Sequence, residues 1–177
     1  MLRVGTVGTS SIMRTIQEAI RLTDGMECRV VYSRTEEQGR AFAAEMGVPE
    51  HCTDYAAMLE RSDLDLIDIA SPNRFHVEQA LAALEHGKHV IVEKPAAVTR
   101  GDVQRLIDAA RANGVYFFEA ITTLFMPQYE ACRLLLPKLG RIEQAHITYA
   151  QYSSRYDAYL RGENPNIFNP AMQAGAL

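Results

Sequence analysis

Four short segments of the chain carry the side chains best suited to chemistry. The first, Gly8-Thr9-Ser10-Ser11-Ile12, follows an apolar run and opens a stretch of helical period. Glycine permits a tight turn there, and N–H groups at the helix start can then face a pyrophosphate. The full G-x-G-x-x-G pattern asks for glycine at 8, 10 and 13, where this chain has Gly8, Ser10 and Met13. Ser10 still presents its N–H and adds a hydroxyl donor; the plain alternative is a strand-to-helix turn capped by Ser10 or Ser11. The second segment, Tyr32-Ser33-Arg34, stands where an acid would accept hydrogen bonds from the ribose 2'-hydroxyl of NAD. No acid is there. Arg34, with charge and forked donors, and Ser33, with a hydroxyl, suit a 2'-phosphate, which favours NADP with NAD as second choice. The plain reading of Arg34 is a solvated helix-start residue beside Glu36 and Glu37. The third and fourth segments, Ser71-Pro72-Asn73-Arg74-Phe75-His76 and Glu93-Lys94-Pro95, both end apolar runs. They therefore fall at the carboxyl ends of strands, where open α/β sheets bind ligands. Asn73 as a helix cap, His76 as a first-turn polar residue and a solvated Glu93–Lys94 pair are the alternatives.

The elements that must position these residues are legible in the hydrophobic pattern. Apolar runs rich in branched residues occur at 2–7, 28–33, 65–70, 89–93 and 115–120, separated by segments of helical period. That alternation predicts parallel strands joined by crossover helices. Hydrophobicity is continuous in Val30-Val31-Tyr32 and Val90-Ile91-Val92, so both faces of the sheet are covered. A weaker strand is expected near His51 and Cys52. Thr35 followed by Gln38 reads as a capping box, and Gly47, Gly87 and Gly114 stand where helices end. The expectation is an α/β, doubly wound, dinucleotide-binding domain of about six strands over residues 1–120. Residues 121–177 differ in texture. A helix is predicted over 128–139, and 142–152 alternates as a half-buried strand of a different sheet. Nothing remains to pair with that strand, so a second chain, a swapped element or further sequence is required.

Composition removes several classes of function. The 177 residues carry 18 basic and 22 acidic side chains, a net charge of -4, which argues against a nucleic-acid surface. No apolar stretch is long enough for a membrane span or a signal peptide. Cys28, Cys52 and Cys132 are too few and too scattered for a disulfide framework, which points to a reducing, cytoplasmic setting. The histidines at 51, 76, 86, 89 and 146 show no ligand spacing, so no metal is expected, and His86 reads as a helix C-terminal residue. The first glycine turn lacks the second glycine of a hydrolase nucleophile elbow. Tyr149, Tyr152, Tyr156 and Tyr159 fit core or interface packing better than a base-stacking platform.

The GTSS turn, Ser-Pro-Asn-x-x-His at 71–76, the block Gly87-Lys88-His89-Val90-x-Val92-Glu93-Lys94-Pro95 and Phe118-Glu119-Ala120 together resemble the glucose-fructose oxidoreductase and inositol dehydrogenase family (Gfo/Idh/MocA). The resemblance covers the whole chain, including Gln151-Tyr152-Ser153-Ser154-Arg155-Tyr156-Asp157. It implies an N-terminal Rossmann domain, then a substrate domain whose open sheet often forms a homo-oligomer interface. Gly8, Thr9, Ser10, Ser11 and Ile12 would line the pyrophosphate, Ser33 and Arg34 the adenosine ribose, and Ser71, Pro72, Asn73 and His76 the nicotinamide side. Glu93 would hold the nicotinamide ribose. Lys94 would transfer a proton at the substrate oxygen of a sugar, polyol or diol while hydride moves. A free lysine titrates near ~10.4, so burial or a neighbouring positive charge is asked of that site. Pro95 is a candidate for a cis bond. The family carries a catalytic Asp or His just past a Gly-Gly-Ala-Leu segment, whereas this chain stops at Ala174-Gly175-Ala176-Leu177. Residues 121–177 are accordingly expected to be a linker helix and the first strand of an incomplete substrate and dimerisation domain. Two functions stay open: an NAD(P)-dependent dehydrogenase or reductase, and a non-catalytic dinucleotide-binding regulator or scaffold of the same fold.

Overall fold

A computed structural model of the chain describes residues 1–148, 150–153 and 155–174. Strands and helices alternate from the start: β1 (Leu2–Val7), α1 (Ser11–Leu22), β2 (Met26–Tyr32), α2 (Glu36–Met46), β3 (Glu50–Cys52), α3 (Tyr55–Leu59) and β4 (Leu66–Ile69). They continue as α4 (His76–Glu85), β5 (His89–Val92), α5 (Arg100–Ala112) and β6 (Phe117–Glu119). The six strands form one parallel sheet in the order β3-β2-β1-β4-β5-β6. The chain runs outward from β1 to β3, then returns to the other side of β1 at β4. A crevice opens at that reversal, above the carboxyl ends of β1 and β4.

The continuous apolar runs are buried on both faces, as expected. Val4, Val30, Ile67, Ile69, Val90 and Val92 have no exposed surface. One face packs against Met58 and Leu59 of α3, Ala80, Ala83 and Leu84 of α4, and Leu106 and Ala110 of α5. The other packs against Met13 and Ile20 of α1 and Phe42 and Ala43 of α2. Helix starts are fixed by side chains: the Thr35 hydroxyl accepts from the Gln38 N–H at 3.4 Å, and the Thr99 hydroxyl from the Asp102 N–H at 3.1 Å. Each such cap contributes about 1 kcal/mol. His86 caps the end of α4, its ring nitrogen 2.7 Å from the Ala82 carbonyl.

Beyond β6 the structure departs from the sequence reading. The helix expected over 128–139 is α6 (Pro127–Leu135) followed by a 3-10 turn, Leu136–Leu139. Pro137 lies in that turn and cannot donate the hydrogen bond that would continue the α-helix. The strand expected over 142–152 is not formed: residues 142–148 and 150–152 join no ladder, and Ile147 is 94% exposed. Alternation encodes a strand only when a neighbour supplies the hydrogen bonds, and no strand of the described residues lies beside this segment. Tyr149 and Ser154, like residues 175–177, fall outside the described residues. A short helix, α7 (Tyr156–Leu160), and two 3-10 turns then lead the chain back toward the crevice.

Candidate functional site

The crevice begins at the turn after β1. Gly8 has φ of +115°, and a Cβ there would lie 2.9 Å from the Ala70 carbonyl oxygen. The turn therefore needs glycine both for its backbone angle and for the close approach of β4. Ser10 is the N-cap of α1 but makes no side-chain bond to the helix, and its carbonyl accepts from the Arg14 N–H at 3.3 Å. The N–H groups of that first turn and the Ser10 hydroxyl are thus left to donate outward, at the positive end of the helix dipole. Met13, at the third position of the glycine fingerprint, is fully buried with Val31, Phe42, Ala43, Val48 and Ala70. A side chain fills the gap that glycine closes in the full pattern, so this departure alters helix packing and leaves the N–H donors in place.

One end of the crevice is a cavity of ≈ 290 Å³ lined by Gly8, Thr9, Ser10, Tyr32, Ser33, Arg34 and Gln38, with Ser71, Pro72, Phe75, Gln79 and Asn166 opposite. Arg34 is exposed and makes no ion pair among the described residues. Glu36, which sequence places beside it, bonds instead to His51 at 2.7 Å. Ser33 is 2% exposed, and its hydroxyl is sealed from solvent with no hydrogen-bond partner. It packs on Gly39, where a Cβ would come within 3.2 Å of the Ser33 Cβ. The edge of the cavity thus holds an unpaired guanidinium and an orphaned hydroxyl. Across from them the Ser71 hydroxyl donates to Gln79 Oε1 at 2.6 Å.

The other end is a cavity of ≈ 660 Å³ lined by Ser10, Ile12, Ser71, Pro72, Asn73, Lys94 and Pro95, with Gln151, Arg155, Asn166 and Ile167 from the C-terminal segment. Lys94 is exposed at its rim, and the Lys94–Pro95 peptide is cis. Asn73 Nδ2 donates to the Gln173 carbonyl at 2.8 Å, tying the end of β4 to the segment that covers the cavity. The structure brings Gly8, Thr9, Ser10, Ser33, Arg34, Ser71 and Pro72 together at one end, and Ser10, Ile12, Ser71, Pro72, Asn73 and Lys94 at the other.

Three expected residues line neither end. Ser11 is the first residue of α1 and is exposed, but it lines neither cavity although its neighbours Ser10 and Ile12 do. His76 has no exposed surface; its ring nitrogens lie 2.9 Å from the Pro95 carbonyl and 2.8 Å from the Ser71 carbonyl. Both nitrogens are spent on backbone, so His76 joins the loops after β4 and β5 instead of touching a ligand in the crevice. The Glu93 N–H donates to the Ile69 carbonyl at 2.8 Å, and its Oε2 accepts from the Lys94 N–H at 3.3 Å. Its carboxylate is turned toward its own loop.

Sequence reasoning missed Gln38, Phe75, Gln79, Gln151, Arg155 and Asn166 among the lining residues. Phe75 lies inside the third segment and Gln38 one turn past Arg34, so both could have been found by position. Gln151 and Arg155 lie in the segment 151–157 that shares the family resemblance, which gave them no role, and Asn166 is placed by tertiary contact. Asp68 was also missed, although an acid inside Leu66-Ile67-Asp68-Ile69 is itself the signal. It sits in register between Thr6 and Ile91, with Oδ1 buried and unpaired. Burial, helped by the charge of Glu93, pushes its carboxyl up to about 7. Cys28 is half-buried, with its Sγ 3.2 Å from Gln17 Nε2, and burial pushes its thiol up, so it is a packing residue. Tyr152, Tyr156, Tyr159 and Phe168 pack in sequence as an aromatic cluster. Among the described residues no His, Cys, Asp or Glu group could hold a metal ion, and no helix is long and apolar enough to cross a membrane.

Comparison with known proteins gives this geometry a context. The family described as an oxidoreductase family with an NAD-binding Rossmann fold matches residues 2–121. Over all 177 residues the chain is 41% identical to the uncharacterized oxidoreductase YgjR of Escherichia coli. It is 37% identical, again over its whole length, to IolU of Bacillus subtilis, a scyllo-inositol 2-dehydrogenase (NADP(+)). The chain spans about half the length of these curated relatives, 54% of each. Among solved structures, a 3-ketoreductase from Actinomadura kijaniata in complex with NADP and TDP-benzene superposes with a TM-score of 0.73 at 30% identity, over 77% of this chain and 42% of that one. Biliverdin reductase from Synechocystis, in complex with biliverdin and NADP+, gives 0.70 at 30% identity over 79% and 44%.

Proposed function

Because the chain belongs to the Gfo/Idh/MocA oxidoreductase family, with its NAD-binding Rossmann fold, we propose that it supplies the cofactor half of an NAD(P)-dependent dehydrogenase or reductase. The substrate is a sugar, polyol or diol whose hydroxyl or carbonyl carbon exchanges hydride with the nicotinamide. The observation that carries this reading is that Lys94 and Ser10 line one cavity. An ammonium therefore stands within the same crevice as the N–H groups that suit a diphosphate.

The residues present fit a dinucleotide. Ser10, with the N–H groups behind Gly8 and Thr9, would hold the diphosphate, and Ile12 would pack beside it. Arg34, Ser33 and Gln38 would hold the adenosine ribose and its 2'-phosphate. The unpaired Arg34, the orphaned Ser33 hydroxyl and the lack of an acid after β2 support NADP, as do relatives whose names carry NADP. Ser71, Pro72 and Asn73 would border the nicotinamide, with Glu93 reaching its ribose after releasing the Lys94 N–H. His76 keeps the Ser71 and Pro95 carbonyls in place, so its part in binding is positional. When bound, the cofactor supplies the hydride exchange.

Lys94 Nζ then gives or takes the proton at the substrate oxygen. Substrate and nicotinamide between them would exclude water from an amine that is otherwise exposed at the rim. Residues 1–120 form the dinucleotide-binding unit in this reading, and 121–177 begin the part that meets substrate and a second copy of the chain. Free cysteines at 28, 52 and 132 suit a cytoplasmic setting. Replacing Lys94 in a protein of its relatives' full length tests the assignment: Lys94→Met should keep NADPH affinity while turnover falls about 10²–10⁴-fold. Unchanged turnover would refute the catalytic role, and cofactor binding without any lysine-dependent turnover would leave a regulatory protein of the same fold.

A further inference from the structure

The chain as a whole is acidic, with 22 acidic against 18 basic residues. The larger cavity reverses that balance: Lys94 and Arg155 line it, and no Asp or Glu does. The acids nearest in sequence are engaged elsewhere. Glu93 accepts from the Lys94 N–H at 3.3 Å, and Asp157 accepts from the Tyr152 hydroxyl at 2.5 Å. Arg155 makes no ion pair among the described residues, although most surface arginines of the Rossmann part and the first C-terminal helix do. Around the two cations stand amides, Asn73, Gln151 and Asn166, and one apolar side formed by Ile12 and Ile167.

A neutral polyol gives a guanidinium nothing to neutralise. A cavity with two cations, three amides and no carboxylate matches a small hydroxylated molecule that carries an anion. We propose that Arg155 is a specificity residue of the site, and that the substrate bears a carboxylate or phosphate on the end remote from the reacting carbon. Lys94 serves the reacting oxygen and Arg155 grips the anion as a two-pronged donor. The inference rests on the reading of Lys94 above and narrows its substrate class to acidic or phosphorylated sugars and related hydroxy acids. Ser10 lines the same cavity, so the competing role for Arg155 is contact with the cofactor diphosphate.

Binding to the NADPH-loaded chain separates these possibilities. Glucuronate and glucose 6-phosphate, as carboxylate and phosphate probes, are titrated against glucose, with wild-type, Arg155→Ala and Arg155→Lys chains. The expected result is binding of at least one anionic probe about tenfold or more tighter than glucose. That advantage disappears in Arg155→Ala, returns in part in Arg155→Lys, and NADPH affinity stays constant throughout; which probe wins identifies the anion. Equal binding of all three sugars, an anion preference that survives Arg155→Ala, or a loss of NADPH affinity in Arg155→Ala would overturn the proposal. In the wild-type chain each of those outcomes leaves NADPH binding and Lys94-dependent turnover intact, so they are distinguishable from failure of the parent reading.

Discussion

Arg34 and Ser33 close the far end of the crevice with donors that have no acceptor of their own. A 2'-phosphate would accept from the exposed Arg34 guanidinium, and a charge-assisted bond of this kind contributes about 1.5–3 kcal/mol. Arg34→Ala should therefore weaken NADPH about ten- to a hundredfold and leave NADH unchanged, as read by calorimetric titration. Equal losses for both nucleotides would mean that Arg34 touches something other than the 2'-phosphate. Asp68 makes a different prediction. Its carboxyl is raised in the folded chain from an ordinary value of 3.8 to about 7, so the folded state holds the proton more tightly than the unfolded one. The resulting cost is absent below pH 3.8, grows as pH rises toward 7 and is complete above it. Wild-type should lose stability on the order of 2 kcal/mol between pH 5 and 8 from this group, whereas Asp68→Asn should not. Thermal denaturation of both at the two pH values reads the difference, and parallel pH dependences would contradict it.

At the scale of the elements, β1, α1 and the turn between them do most to place the site. Gly8 combines φ of +115° with a 2.9 Å approach to the Ala70 carbonyl, so an added methyl meets both a strained backbone and a neighbouring strand. Gly8→Ala should cost on the order of 2 kcal/mol or more of stability and weaken NADPH as well. Gly47 is the control: its φ is +70° with open space around it, so Gly47→Ala should destabilise α2 without altering nucleotide affinity. If the two substitutions behaved alike, the turn would not be the cofactor's cradle. These elements were legible because each carries its own evidence: continuous apolar runs for strands buried on both faces, Thr35 and Gly47 for the ends of α2. Strand ends shifted by a residue or two, as with β2 starting at Met26 instead of Cys28. The site was legible where local sequence sets it, at Gly8, Ser10, Arg34 and Lys94. His76 and Glu93 line neither end, because the His76 ring nitrogens lie against the Ser71 and Pro95 carbonyls and Glu93 Oε2 accepts from the N–H of the next residue, Lys94. The segment over 142–152 was misread, since its alternation describes a ladder that requires a neighbour.

Across the whole molecule, the sheet reversal between β1 and β4 sets one crevice, and the C-terminal segment returns to cover part of it. Asn166 lines both ends, and Asn73 holds Gln173 at 2.8 Å, so nucleotide end and substrate end share a boundary. Ligand at one end should accordingly order the other, and nucleotide binding should stabilise the chain by mass action. The most direct test is an equilibrium titration of the chain with NADPH and with NADH at one ionic strength, followed by the fluorescence of the reduced nicotinamide. Saturable binding of NADPH, about tenfold or more tighter than NADH, is the predicted result. Tighter binding of NADH, or no binding of either nucleotide, would contradict a crevice built for a phosphorylated dinucleotide.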